Sequence, residues 1–199
     1  MDNRLNIKDA VQLAHEEERI SKRAALSLYQ DGTLAALTPG TFQALAAIHK
    51  HLFGDLYDFA GEVRTVNLAK GGFRFASSLY LESALRAIER MPQNTFDEII
   101  EKYVEMNVAH PFREGNGRAG RIWLDHILRT SLAMTVDWTL IDRDDYLLAM
   151  QRSPVRDTEI KHLVAGALSP NLDDISLLAR GIDASYAYEG YTAYRAQDL

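Results

Sequence analysis

Cysteine is absent from this chain of 199 residues. That excludes a disulfide framework and any cysteine-ligated zinc, and is compatible with a reducing compartment. No apolar run approaches the roughly eighteen residues of a membrane span. The opening Met1-Asp2-Asn3-Arg4 lacks the apolar core of a signal peptide, so a cytoplasmic protein is expected. An excess of basic charge is missing too. Lys and Arg total 22 against 28 Asp and Glu, a formal net charge of −6, which argues against direct nucleic-acid binding. There is no repeat, no low-complexity tract and no H-E-x-x-H pattern. Ser169-Pro170-Asn171 is the best break, and it suits a join between helices better than one between domains. What remains, 47% hydrophobic and 25% charged, is ordinary for a globule with a proper core. One domain over residues 1–199 is expected.

Apolar spacing and caps predict mostly helices. One covers residues 8–30, with Gly32 as its stop. Thr38-Pro39 opens a second, reaching Gly54. Ser77 or Ser78 caps a third that ends before Pro92. Thr95 with Glu98 forms a capping box for residues 95–109. Asp142 caps a helix through Met150, Asp157 caps residues 158–168, and the last helical signals lie within residues 173–191. Strand character is confined to residues 63–77. There Val63 to Leu68 is rich in β-formers, Lys70-Gly71-Gly72 offers a turn, and Phe73-Arg74-Phe75 follows, as in a short hairpin.

The informative run is His110-Pro111-Phe112-Arg113-Glu114-Gly115-Asn116-Gly117-Arg118, continued to Arg121. Pro111 ends the preceding helix and leaves His110, a residue type suited to general base work at neutral pH. Gly115, Asn116 and Gly117 allow a tight backbone whose N–H groups can face an anion at the start of a new helix. Arg118 and Arg121 are three apart, so they share a helical face, and their planar forks suit phosphate oxygens. Glu114 would repel phosphate but can serve as a ligand for Mg²⁺ bridging two phosphates. His15, His49, His51, His126 and His162 are read as structural.

The run matches H-P-F-x-[D/E]-G-N-G-R-x-x-R at every constrained position and so resembles the Fic-domain family, which transfers AMP from ATP to protein hydroxyls. The resemblance covers roughly residues 53–154 and the C-terminal helix. It implies an all-α, Fic-type helical domain with a small β-hairpin flap, ATP as co-substrate and Mg²⁺ as cofactor. His110 would be the base, with Gly115, Asn116, Gly117, Arg118 and Arg121 on the nucleotide and Glu114 on the metal. The partner would be a target protein with a Tyr, Ser or Thr hydroxyl, and a type II topoisomerase subunit such as gyrase is one candidate.

Two further segments gain meaning beside that motif. Phe59-Ala60-Gly61-Glu62-Val63-Arg64 and the turn Lys70, Gly71, Gly72 and Phe73 look like the family's target-docking flap region, whose open edge can pair with an extended peptide. Ser185-Tyr186-Ala187-Tyr188-Glu189-Gly190 looks like its inhibitory [S/T]-x-x-x-E-[G/N] signature, on a helix at about residues 182–190. Ser185 and Glu189 share a helical face, and the resemblance implies that Glu189 pairs with Arg121 in place of the γ-phosphate. Tyr186, Tyr188, Tyr191 and Tyr194 suggest self-modification. A homo-oligomer that buries the inhibitory helix would make activation depend on concentration. The rival readings are de-AMPylation or another phosphoryl-group transfer at the same site, and a nucleotide-sensing interaction module.

Overall fold

The computed structural model describes residues 2–70 and 73–199, with the side chain of Lys70 left aside, and consists chiefly of helices. In order these are α1 (Ala10–Gln30), α2 (Phe42–Phe53), α3 (Leu81–Glu89), α4 (Phe96–Ala109), α5 (Asn116–Leu132), α6 (Arg143–Arg152), α7 (Thr158–Gly166) and α8 (Ile175–Ala187). Two antiparallel pairs of two-residue strands join them. β1 (Ala69–Lys70) pairs with β2 (Phe73–Arg74), and β3 (Thr135–Val136) with β4 (Leu168–Ser169).

Capping chemistry sets most helix starts. Asp9 accepts from the Gln12 N–H at the head of α1, and Thr41 from the Ala44 N–H at the head of α2. The expected capping box of α4 is complete, with Thr95 and Glu98 bonding each other's backbone. α2 begins later than Thr38-Pro39 predicts, because Gly40 sits at φ 76° and breaks the path before Thr41. α3 likewise starts at Leu81, after a single 3-10 turn over Ser78–Tyr80. α7 stops at Gly166 because Leu168 joins β4.

α5 is the axis of the domain. Every residue from Arg118 to Leu128 is buried, with α2 and α4 packed on it and α1 and α8 closing round. Such a helix shows no polar face, so its polar side chains must find partners inside. Asp125 does so by accepting from the Thr135 hydroxyl at 2.5 Å, the Val136 N–H at 3.1 Å and Arg129 Nε at 2.6 Å, which pins β3 to α5.

The hairpin is shorter than the β-formers predict. Residues 63–68 form no strand. Within them the Arg64 N–H donates to the Pro111 carbonyl just past α4 at 2.8 Å, and the Leu68 carbonyl accepts from the Phe75 N–H at 3.2 Å. Of the expected turn, Lys70 and Phe73 face each other across β1–β2. Gly71 and Gly72 lie outside the described residues.

His49 on α2 is fully buried and holds two loops together. Its Nδ1 accepts from the Gly61 N–H at 2.9 Å, so Nε2 carries the proton and donates to the Glu114 carbonyl at 2.8 Å. Its ring stacks on Phe112, centroids 3.9 Å apart. Burial pushes its pKa down from 6.5 to about 4, against the pull of the Glu114 bond. The neutral form is therefore the folded form. Between those two values the unfolded chain binds a proton that the folded chain refuses, so this contribution is complete above pH 6.5 and is lost as pH falls toward 4. We predict that His49→Gln flattens the pH dependence of stability in that window, removing a slope worth up to about 3 kcal/mol. Urea unfolding of both proteins from pH 7 to pH 4.5 would check it, and parallel curves would refute it.

Candidate active site

α4 ends where His110 turns into the left-handed region at φ 48° and ψ 62°, its N–H still bonded to the Met106 carbonyl. A non-glycine residue there carries strain on the order of 1 kcal/mol and persists only when its surroundings hold it. Two neighbours do. Arg64 Nε donates to the His110 carbonyl at 2.7 Å, and the Phe75 ring stacks on the imidazole with centroids 3.6 Å apart.

The loop that follows is closed by Asn116. Its Oδ1 accepts from the Phe112 N–H and its Nδ2 donates to the Phe112 carbonyl, both at 2.8 Å. The expected cradle thus divides its labour, with the Asn116 side chain shaping the loop while the backbone of residues 115–117 starts α5. Gly115 caps that helix at φ 75°, and a Cβ there would strike the Phe53 ring at 2.4 Å. A Cβ on Gly117 would lie 2.3 Å from Glu189 Oε1. The Glu189 carboxylate therefore rests directly on the first turn of α5, where aligned N–H groups and the helix dipole favour an anion.

The two arginines grip that carboxylate from either side. Arg121 Nη2 donates to Glu189 Oε1 at 2.8 Å, while Arg118 Nε pairs with Oε2 at 2.9 Å. Sequence reasoning anticipates the first contact and misses the second. Arg121 also donates to the Ser185 hydroxyl at 2.6 Å and to its carbonyl at 2.8 Å, so Ser185 and Glu189 meet one side chain as their spacing implies. α8 itself stops at Ala187, and Glu189 sits in the tightened turn beyond, which Gly190 ends at φ 92°.

Arg118 is completely buried among carboxylates and rings. It reaches Glu17 at 2.7 Å and Glu114 at 3.4 Å as well as Glu189. The ring centroids of Tyr191 and Phe53 lie 4.6 and 4.8 Å from its guanidinium carbon. Burial alone would lower the pKa of Arg118, but Glu189 and Glu17 outweigh it and hold it raised. Arg121 is held raised likewise, by Tyr146 and Glu189 against burial.

Glu17 is a member of the site that the motif does not announce. It accepts from Tyr191 at 2.9 Å and from the Tyr57 hydroxyl. A signal existed, since Ala25 and Leu28 define the buried stripe of α1, and its continuation lands on Ser21, Lys22, Glu17 and Glu18. Charged residues on the core side of a helix need partners. Glu114, by contrast, keeps 45% of its side chain exposed and borders an open cleft of about 690 Å³. Among the described residues no cluster of three or more His, Cys, Asp or Glu could hold a metal alone. A single accessible carboxylate fits Mg²⁺, which commonly takes one or two carboxylates and completes its shell with phosphate oxygens and water.

The family model for Fic/DOC proteins matches residues 39–128. A probable protein adenylyltransferase of Sinorhizobium fredii, y4lH, is 30% identical over 163 residues, 76% of this chain and 81% of that protein. Protein adenylyltransferase VbhT of Bartonella schoenbuchensis is 29% identical over 196 residues, 93% of this chain but only 39% of the relative's length. Among solved structures, the N-terminal Fic domain of Bep8 from Bartonella sp. 1-1C superposes with a TM-score of 0.73 at 18% identity, covering 87% of this chain and 93% of that one. BepC of Bartonella tribocorum, solved with AMPPNP, gives 0.70 at 21% identity, over 86% and 93%. With y4lH matched across most of both chains, the family model on the central helices and the same helical fold in these neighbours, the chain belongs to the Fic/DOC family.

Proposed function

We propose that the protein is a protein adenylyltransferase held off by its own C-terminus, the whole of residues 1–199 acting as one Fic domain. The observation that carries the reading is the seat of Glu189, a carboxylate on the first turn of α5 between two buried arginines. A pocket that grips one anion so closely is built for anions, and a triphosphate is the anion the family relatives' names imply.

His110 takes the proton of a target Tyr, Ser or Thr hydroxyl. The oxygen attacks the α-phosphorus of ATP, the bond from that phosphorus to the bridging oxygen breaks, and pyrophosphate leaves with the electron pair. AMP stays on the target as a phosphodiester. The start of α5 receives the phosphates, and Arg118 and Arg121 hold the outer ones. Glu114 is the residue that would hold Mg²⁺, which when bound offsets phosphate charge. Placement and charge stabilisation supply most of the rate in such transfers. While Glu189 occupies the Arg121 fork, the γ-phosphate cannot, and ATP lies turned away from in-line attack.

The target belongs to the class of proteins bearing an acceptor hydroxyl, a type II topoisomerase subunit being one candidate, and the proposed compartment is the cytoplasm. No helix among the described residues is long and apolar enough to cross a membrane. Lys70, Gly71, Gly72 and Phe73 would align the target through main-chain pairing at the flap. Self-transfer to Tyr186 or Tyr188 requires the end of α8 to leave first. Both rings are buried, and the Tyr188 hydroxyl donates to the Trp138 and Ile141 carbonyls at 2.9 Å.

Transfer of α-labelled AMP from MgATP into proteins of a bacterial lysate tests the reading. Glu189→Gly should raise labelling roughly tenfold or more, the scale of a typical coupling between competing ligands. Labelling equal to that of the unaltered protein would dismiss the inhibitory role. Adding His110→Ala to Glu189→Gly should lower transfer by about a hundredfold or more, while MgATP binding by calorimetry persists. Retained transfer would remove His110 as the base.

A further inference from the structure

Arg64 is buried to 3% exposure, and four of its N–H groups end on main-chain carbonyls. Nε donates to His110 at 2.7 Å, Nη1 to Val66 at 2.6 Å, and Nη2 to Ala76 at 2.6 Å and to Ala109 at 3.0 Å. Two of those acceptors are the last carbonyls of α4 and its left-handed cap. The other two flank the β1–β2 hairpin on its two sides. The carbonyl end of a helix attracts a cation, which explains how this charge is kept inside without a carboxylate among its four hydrogen-bond partners. Next to it the Ala76 N–H donates to the Val108 carbonyl at 3.0 Å, and Phe75 stacks on the His110 ring. One guanidinium therefore fixes the strained backbone of His110 and both legs of the hairpin.

We propose that Arg64 is a positioning residue that locks the base and the target-docking flap into one unit, so that the proton acceptor and the acceptor hydroxyl are placed together. The proposal rests on the reading of the site as an adenylyltransferase and adds a residue outside the motif to its machinery. Arg64 touches neither nucleotide nor metal in this scheme. Its loss should slow the chemical step and leave nucleotide affinity alone, whereas general damage would lower both.

The test uses the full chain carrying Glu189→Gly, with Arg64→Lys, which keeps the charge but not the fork, and Arg64→Gln, which keeps a planar amide. Measured for each are labelled AMP transfer into lysate proteins at saturating MgATP, MgATP affinity by calorimetry, amide exchange at Ala76 and the NMR signals of the His110 ring. We expect transfer to fall on the order of tenfold or more at parental MgATP affinity, with faster exchange at Ala76 and shifted His110 signals. Parental transfer rates, or MgATP affinity falling in step with the rate, would overturn the proposal. Collapse of both variants would make Arg64 a folding residue and overturn it as well. Should the Glu189→Gly parent transfer nothing, the adenylyltransferase reading fails. The locking role is then decided by Ala76 exchange and the His110 signals, and unchanged values refute it.

Discussion

The buried charge of Arg121 is the constraint to which much of the C-terminal region answers. A guanidinium taken out of water costs several kcal/mol unless an anion and hydrogen bonds meet it. Here Ser185 supplies two acceptors and Glu189 is, among the described residues, the carboxylate paired with it. Arg118 is placed differently, because Glu17 and Glu114 remain to it when Glu189 is removed. Losing Glu189 therefore leaves one arginine still paired and the other short of its anion. A site in that condition has a strong demand for negative charge at one place. On the proposed reading the γ-phosphate and the Glu189 carboxylate satisfy the same demand and compete for it.

The carboxylate is secured well beyond its own contacts. Past Gly190 the chain crosses to α1, where Glu18 accepts from the Ala193 and Tyr194 N–H groups at 3.1 Å. Lys22 pairs with Glu18 at 2.9 Å and with Asp183 on α8 at 3.0 Å, and donates to the Tyr194 carbonyl at 2.6 Å. Lys22 and Glu18 are almost wholly buried, where an ion pair is costly to break by removing one partner. The Tyr191 hydroxyl donates to Glu17, and Glu17 pairs with Arg118, so the tail after α8 and the arginine-bearing face of α5 share one network.

The legible parts of the site are those written in contiguous residues. The motif, the capping box at Thr95 and the Ser185–Glu189 spacing each express a local rule, and the structure closes the capping box and brings Ser185 and Glu189 onto Arg121 as those rules imply. The residues that escaped are joined to the motif only through the fold. Glu17 meets Arg118 across 101 positions and His49 meets the Glu114 carbonyl across 65. Arg64 falls in the segment whose likeness to the flap is legible, but its contacts are not, since its acceptors are backbone carbonyls that every residue type carries alike. The β-formers of residues 63–68 misled because the Arg64 N–H goes to the Pro111 carbonyl just past α4 rather than to a partner strand, while Leu68 still accepts from the Phe75 N–H. Tertiary contact overrode propensity there, as it commonly does.

Space, as much as charge, shapes the anion seat. Gly115 lets Phe53 approach the start of α5, and Gly117 lets an anion reach its first turn. Asn116 between them spends both ends of its amide on Phe112, so the turn is rigid before any ligand arrives. A preformed turn of this kind gains little by adjusting to what it binds. On the proposed reading, discrimination among anions would come from what lies beyond the seat, namely the half-exposed Glu114 at its edge. A lone carboxylate fills the seat but brings nothing for Glu114 to share, whereas on that reading a phosphate chain with its divalent cation would engage both. On the proposed reading, that difference would give a nucleotide a means of displacing Glu189.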